Sequence, residues 1–244
     1  MVEKEFYERM YGGGGASPGK QGALSRLRRK LTLDRLEASF RLLERGEKLV
    51  DLGCGEGILA FKAADKYEFC YGIDIVSRPI ARARKQAEAR GDARRFNFIE
   101  GNLNQSLPYP ESYFDAVTCT SVLAHIFDPY ALVKESHRVL KNNGILIIQV
   151  PNLSYVRYRM AILFGKLPAQ SDQIGWNGGI LHYFTVDTLG KLLRREGFTI
   201  EKKTCSGTFV ALRRLWLPLL GADIIIKARK TKKVLGPHLG EPHD

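Results

Sequence analysis

The run Lys48-Leu49-Val50-Asp51-Leu52-Gly53-Cys54-Gly55-Glu56-Gly57 constrains this chain more than any other stretch, because an apolar strand leads directly into three alternating glycines. Such a turn brings backbone N–H groups against a ligand with no Cβ in the way. A second apolar segment ends in Gly72-Ile73-Asp74, which sets a second acid 23 positions after Asp51. The next strand of a βαβ unit ends at about that distance, and a carboxylate there accepts hydrogen bonds from both hydroxyls of a ribose. The two acids and three glycines outline one nucleoside pocket.

The glycine spacing separates two kinds of ligand. A dinucleotide fingerprint reads G-x-G-x-x-G, whereas this chain reads Asp51-x-Gly53-x-Gly55-x-Gly57, with an acid ahead of the glycines. Asp51 and Glu56 would repel a pyrophosphate and attract a cation, such as the ammonium and sulfonium of S-adenosylmethionine.

Further motifs follow in order. Leu107-Pro108-Tyr109 precedes Ser112-Tyr113-Phe114-Asp115-Ala116-Val117, and Val122-Leu123-Ala124-His125-Ile126 and Arg138-Val139-Leu140-Lys141-Asn142-Asn143-Gly144 come after it. Together with the glycine run and Gly72-Ile73-Asp74, these stretches resemble the class I S-adenosylmethionine-dependent methyltransferases, in the subgroup of type-eleven and ubiquinone-biosynthesis enzymes. The resemblance covers roughly residues 45 to 150 and weakens toward 200. It implies an α/β, doubly wound, Rossmann-like sheet of seven mostly parallel strands with an antiparallel last strand, plus a substrate-cap insert. It implies that Asp51, Gly53, Gly55 and Gly57 meet the methionine part of the cofactor, that Asp74 meets the ribose and that Ile75 flanks the adenine. Cys54, Leu103 and Thr120 fall in the same cofactor-binding set. Asn102 stands where the family often has an acid near the adenine amino group, and its amide oxygen can accept that hydrogen bond. Ala124 stands where the family commonly has a glutamate, so no role of that acid carries over.

The wider sequence repeats strand and helix: strands at 49–52, 69–73, 96–100, 114–118 and 144–150, with helices after Glu56, around 78–89 and around 130–140. That rhythm predicts βαβ units. Thr185 caps a helix running to about Glu196, Gly197 stops it, and 198–203 and 223–229 read as the last two strands. The expected division is an N-terminal leader and helix over 1–44, a methyltransferase domain over 45–230 with an insert at 151–184, and a disordered tail over 231–244. Within the leader, 24–43 reads as one amphipathic helix, and Tyr7 or Tyr11, next to the Gly12–Gly15 hinge, is placed to fold over the pocket. Four cysteines, Cys54, Cys70, Cys119 and Cys205, form neither a C-x-x-C pair nor a cluster with histidine, which leaves no zinc site or disulfide framework. No run of 18 apolar residues and no signal-peptide pattern occurs, so a cytoplasmic protein is expected.

Two stretches break the rhythm. The insert carries Tyr155, Tyr158, Trp176, Asn177, His182 and Tyr183, with Gly175, Gly178 and Gly179, at the carboxyl edge of the sheet where acceptors bind. Since the methyl donor is already activated, transfer to an oxygen, nitrogen or carbon needs mainly alignment. For a hydroxyl acceptor, His125 or His182 removes the proton and Tyr183 orients the nucleophile. The second stretch, 208–220, is apolar with Arg213 and Arg214, and reads as core packing or a homo-oligomer interface, with peripheral membrane contact as the other reading. The formal net charge of +12 favours an anionic or lipid-like small-molecule acceptor, with nucleic acid the runner-up. A non-catalytic sensor or scaffold that binds the cofactor is the non-enzymatic alternative.

Overall fold

The computed structural model describes residues 4, 5, 7, 8, 32–166 and 180–231. Tyr11, Trp176, Asn177, the glycines at 175, 178 and 179, and the tail from 232 lie outside the described residues. The elements in chain order are β1 (Thr32–Leu33), α1 (Arg35–Leu42), β2 (Gly46–Leu52), α2 (Ile58–Ala63), β3 (Tyr67–Asp74), α3 (Ser77–Ala89), β4 (Phe96–Glu100), β5 (Phe114–Thr120), α4 (Pro129–Val139) and β6 (Leu140–Pro151). They continue through α5 (Val156–Leu163), α6 (Val186–Arg195), β7 (Phe198–Thr204), β8 (Gly207–Thr208), α7 (Val210–Leu215), α8 (Leu217–Leu220) and β9 (Asp223–Lys230).

Seven strands form one sheet in the order β4-β3-β2-β5-β6-β9-β7. The pairings β2·β3, β3·β4, β2·β5 and β5·β6 are parallel, and β9 runs antiparallel to both of its neighbours. Chain order therefore reverses on either side of β2, and the loops leaving β2 and β5 diverge. The crevice between them is where ligands bind in open α/β sheets.

The near-continuous apolar strands follow from burial on both faces. Val50 and Leu52 of β2, with Leu146 and Ile148 of β6, pack toward α4 and α6 through Leu132, Val133, Leu189 and Leu193. Leu49, Ile145 and Ile147 face the opposite way, toward Ala38 of α1, Phe61 of α2 and Ile80 and Ala83 of α3. Local signals place the helices. Asp128 accepts a hydrogen bond from Ala131 N at 3.0 Å with Pro129 in the first turn of α4. Thr185 and Thr188 form a reciprocal capping box before α6, and Gly197 follows it at φ 86°.

Two expectations are corrected. The helix predicted over 24–43 begins at Arg35: Asp34 accepts a hydrogen bond from Leu36 N at 2.8 Å and fixes the start, and Thr32–Leu33 before it is a strand paired with Gly207–Thr208. The stretch 208–220 is not one buried helix. Phe209 adopts φ 56° and Trp216 breaks the run at φ −143°, giving the short helices α7 and α8. Core packing holds for Leu217, whereas Leu215 is 80% and Trp216 60% exposed.

Candidate active site

The three alternating glycines hold the loop leaving β2, at φ 73° for Gly53, 52° for Gly55 and 77° for Gly57. A Cβ on Gly53 would come within 2.1 Å of Val122 Cγ2, and one on Gly57 within 2.7 Å of the Phe98 ring, so both are needed for close packing. Gly55 is different: a Cβ there meets nothing within 4 Å, and the loop presents bare backbone to open space. Gly53 N and Cys54 N both donate to Ile73 O, at 2.8 and 3.1 Å, which fastens the loop to the end of β3.

Asp74 sits at that strand end. Its Oδ2 accepts from Gly55 N at 2.8 Å and its Oδ1 from Val76 N at 2.9 Å, so one carboxylate joins the glycine loop to the start of α3. Burial raises its pKa, against the stabilising backbone N–H donors. Asp51 lies beneath the loop and is 4% exposed. Its Oδ1 accepts from Thr118 Oγ1 at 2.6 Å. Desolvation pushes its pKa up to about 7, because one hydroxyl does not replace the water that an ionised carboxylate loses. Glu56 is exposed and paired with Arg82 at 2.6 Å, so a guanidinium balances its charge. Cys54 is buried and its Sγ points at the sheet, where a Cβ on Gly72 would lie 2.6 Å from it. Burial holds the thiol protonated and leaves the backbone of Cys54 as its contribution to the loop.

At the end of β5 the hydroxyl of Thr120 is buried without a hydrogen-bond partner. An unmatched buried hydroxyl costs about 1–3 kcal/mol, so its position beside the crevice suits a polar ligand atom. Ser121 follows at φ 60° and donates through Oγ to Gln149 Oε1 at 2.7 Å. Gln149 Nε2 donates to Asp223 Oδ2 at 3.2 Å, and Ser206 satisfies that carboxylate through its N–H and hydroxyl. This buried row fixes the backbone next to Thr120. A donor-rich glycine loop, a strand-end carboxylate and an orphan hydroxyl fit an adenosyl ligand with a cationic amino-acid tail.

Asn102 Oδ1 accepts from Asn104 N at 2.9 Å in a local turn, which uses one of the two lone pairs of that oxygen. Asn104 Oδ1 in turn accepts from Phe127 N at 2.8 Å and ties the loop after β4 to the turn after β5. Leu103 is part of the core, and Ile75 is half-buried beside Asp74. The N-terminal residues cross the same edge of the sheet. Lys4 pairs with Glu100, Glu8 Oε1 accepts from Ser77 N at 2.8 Å, and Tyr7 Oη donates to His125 O at 3.0 Å.

The structure brings His125 and His182 onto adjoining segments, since Leu181 N and His182 N both donate to Ala124 O. His182 Nε2 lies 3.1 Å from Phe127 O. A carbonyl can only accept, so that nitrogen carries a proton and only Nδ1 remains to act as a base. Tyr183 is exposed, and Tyr155 meets Tyr158 edge-on with ring centroids 5.6 Å apart. Thr118, Gln149 and Glu8 escaped the sequence reading. Thr118 shows itself only through the β2·β5 register that sets it opposite Asp51, and no local pattern marks the other two.

Residues 50–148 match the methyltransferase-domain family. Over this stretch the chain is similar to that family's methyltransferase domain. The ubiquinone biosynthesis O-methyltransferase of Actinobacillus pleuropneumoniae serotype 5b (strain L20) is 33% identical over 121 residues, 48% of this chain and 51% of that protein. The chain thus spans about half the length of the curated relatives it matches. Among solved structures, magnesium protoporphyrin IX methyltransferase from Synechocystis PCC 6803, with S-adenosylhomocysteine bound, superposes with a TM-score of 0.61 at 18% identity, covering 94% of this chain and 95% of that one. The [4+2]-cyclase SpnF gives a TM-score of 0.62 at 22% identity over 94% and 93%. At such identities the likeness shows the fold.

Proposed function

We propose that the protein transfers a methyl group from S-adenosylmethionine to a hydroxyl of a small, lipid-like acceptor. The carrying observation is the Asp74 carboxylate, held by Gly55 N and Val76 N beside a glycine loop whose open face lies at the switch point of the sheet. The bound cofactor supplies an activated methyl on a sulfonium. The chain's own part is alignment and charge: Gly53, Gly55 and Gly57 with Asp51 hold the amino-acid end, Asp74 the ribose, Ile75 and Asn102 the adenine side, and Thr120 Oγ1 meets a polar ligand atom. Asp51, once ionised, balances the ligand's positive charge in a site of low dielectric. On the acceptor side, His182 Nδ1 or His125 takes the proton from the attacking hydroxyl, and Tyr183 orients it.

Two observations favour oxygen as the acceptor atom: the O-methyltransferase relatives, and the two histidines on adjoining segments at the mouth of the site. Ala124, where the family commonly has a glutamate, supports the second reading of a cofactor-binding sensor. Incubation with methyl-labelled S-adenosylmethionine and fractionated extract separates the two. Label in an organic-soluble fraction that resists base hydrolysis supports an ether-forming transferase. Cofactor binding with no labelled product supports the sensor.

A further inference from the structure

Helices α5 and α7 contain no buried residue at all. Isolated helices of six and eight residues are marginal in water, so both need a surface against which to order. They leave the same edge of the sheet. Ser154, just before α5, donates through Oγ to Pro218 O of α8 at 2.9 Å, and the Arg213 guanidinium of α7 lies 6.0 Å from the Tyr155 ring centre. On α5 and the residue after it, Leu163 is 73% and Phe164 71% exposed. On the α7 side, Phe209, Leu212, Leu215 and Trp216 are likewise in solvent. Monomeric proteins seldom leave so many large apolar side chains together, and such groups mark a docking surface.

Charge identifies what docks. The segments 152–166 and 206–222 contain Arg157, Arg159, Lys166, Arg213 and Arg214, with no aspartate or glutamate. Arg159 and Arg214 are anchored by one contact each, Nε to Ser154 O and Nε to Thr204 Oγ1, both at 2.7 Å. A guanidinium has five N–H donors, so an arginine held in this way still meets phosphate. A symmetric dimer through this patch would set cations against cations, which disfavours a second copy. We propose that α5, α7 and the residues flanking them form an interfacial surface that seats the protein on an anionic lipid bilayer. The apolar side chains enter the headgroup boundary and the five cations face lipid phosphates. The site mouth, at the same edge of the sheet, then opens toward the membrane.

Flotation of the full chain with vesicles tests this directly and needs no methyl transfer, so its failure leaves the proposed reaction standing. In about 0.1 M salt, vesicles of phosphatidylcholine with phosphatidylglycerol should carry the protein and pure phosphatidylcholine far less, the difference shrinking as salt rises. The pairs Leu163→Ser with Phe164→Ser, and Leu215→Ser with Trp216→Ser, should each weaken the partition at least about tenfold, as should Arg157→Gln with Arg159→Gln. These side chains are exposed, so melting temperature and S-adenosylmethionine affinity should hold and exclude misfolding. With Trp176→Phe removing the other tryptophan, Trp216 emission should shift to the blue on adding anionic vesicles. No flotation with anionic vesicles overturns the proposal, as does flotation that the serine variants leave unchanged. A concentration-dependent dimer that the same serine variants abolish would assign the patch to a second copy instead.

Discussion

Thr118 donates its hydroxyl to the Asp51 carboxylate at 2.6 Å, across the parallel pair β2·β5 in which the two residues stand opposite each other. Among the described residues that hydroxyl is the side-chain donor to a buried acid under the glycine loop, and burial pushes the pKa of Asp51 up to about 7. In the unfolded chain the same carboxyl titrates near 3.8. Between these values the folded state binds the extra proton, so the stability contributed by protonated Asp51 is full below about pH 4 and is lost as pH rises toward 7. Asp51→Asn should remove that slope. The difference in melting temperature between the variant and the wild type should grow in the variant's favour from pH 5 to pH 8; a constant difference would contradict the assignment.

The same acid predicts a proton signal on binding. A cationic ligand favours ionised Asp51, so S-adenosylmethionine should displace a proton near pH 6 and much less at pH 8. Calorimetry in two buffers of different ionisation enthalpy measures this. Thr118→Val, which strips the hydroxyl donor from Asp51, should move proton release to higher pH and weaken affinity.

Two glycines separate folding from binding. Gly53→Ala places a methyl against Val122 and should cost stability of the order of 2–5 kcal/mol, from the clash together with left-handed strain. Gly55→Ala meets no protein atom within 4 Å and should cost only the strain, about 1–2 kcal/mol. It nonetheless puts a Cβ into the open face of the loop. Chemical denaturation should therefore find Gly55→Ala the more stable of the two while cofactor titration finds it unable to bind.

At the acceptor side, His182→Gln keeps a donor for Phe127 O and removes the basic Nδ1. It should lower kcat about 10²-fold or more with KM little changed, if that nitrogen takes the proton. His125→Ala is its partner experiment, and wild-type turnover in both would remove the histidines from the chemistry.

Tyr7→Phe deletes the hydrogen bond that holds the N-terminal residues to His125 O. Amide exchange at residues 4–8 should quicken, and the cofactor should leave faster with little change in melting temperature. Unaltered dissociation would mean that these residues do not close the site.

The sheet was readable because its strands are apolar on both faces and its turns carry strong local signals. The helix read around 130–140 starts at Pro129, and the Thr185 capping residue marks the start of the helix at Val186. The Leu24–Leu43 reading failed where a leucine pattern continued past the cap at Asp34, because pairing of Thr32–Leu33 with Gly207–Thr208 is a contact 174 and 176 residues away that no local window contains. The glycine loop was legible for a similar local reason: its glycines, Asp51 and Asp74 lie within 24 residues. Thr118, Gln149 and Glu8 reach the site only through strand register or through chain crossing the sheet edge. The apolar stretch 208–220 misled because apolar composition alone does not distinguish a buried helix from one that waits for a partner.

A calorimetric titration of the full chain with S-adenosylmethionine, repeated on Asp74→Ala, shows whether the glycine loop and the Asp74 carboxylate hold the cofactor. The wild type should show saturable one-to-one binding, and the variant, which loses the proposed acceptor for two ribose hydroxyls and the tie to Gly55, an affinity lower by about 10²-fold or more. Absence of binding by the wild type, or equal affinity in the variant, would contradict this assignment.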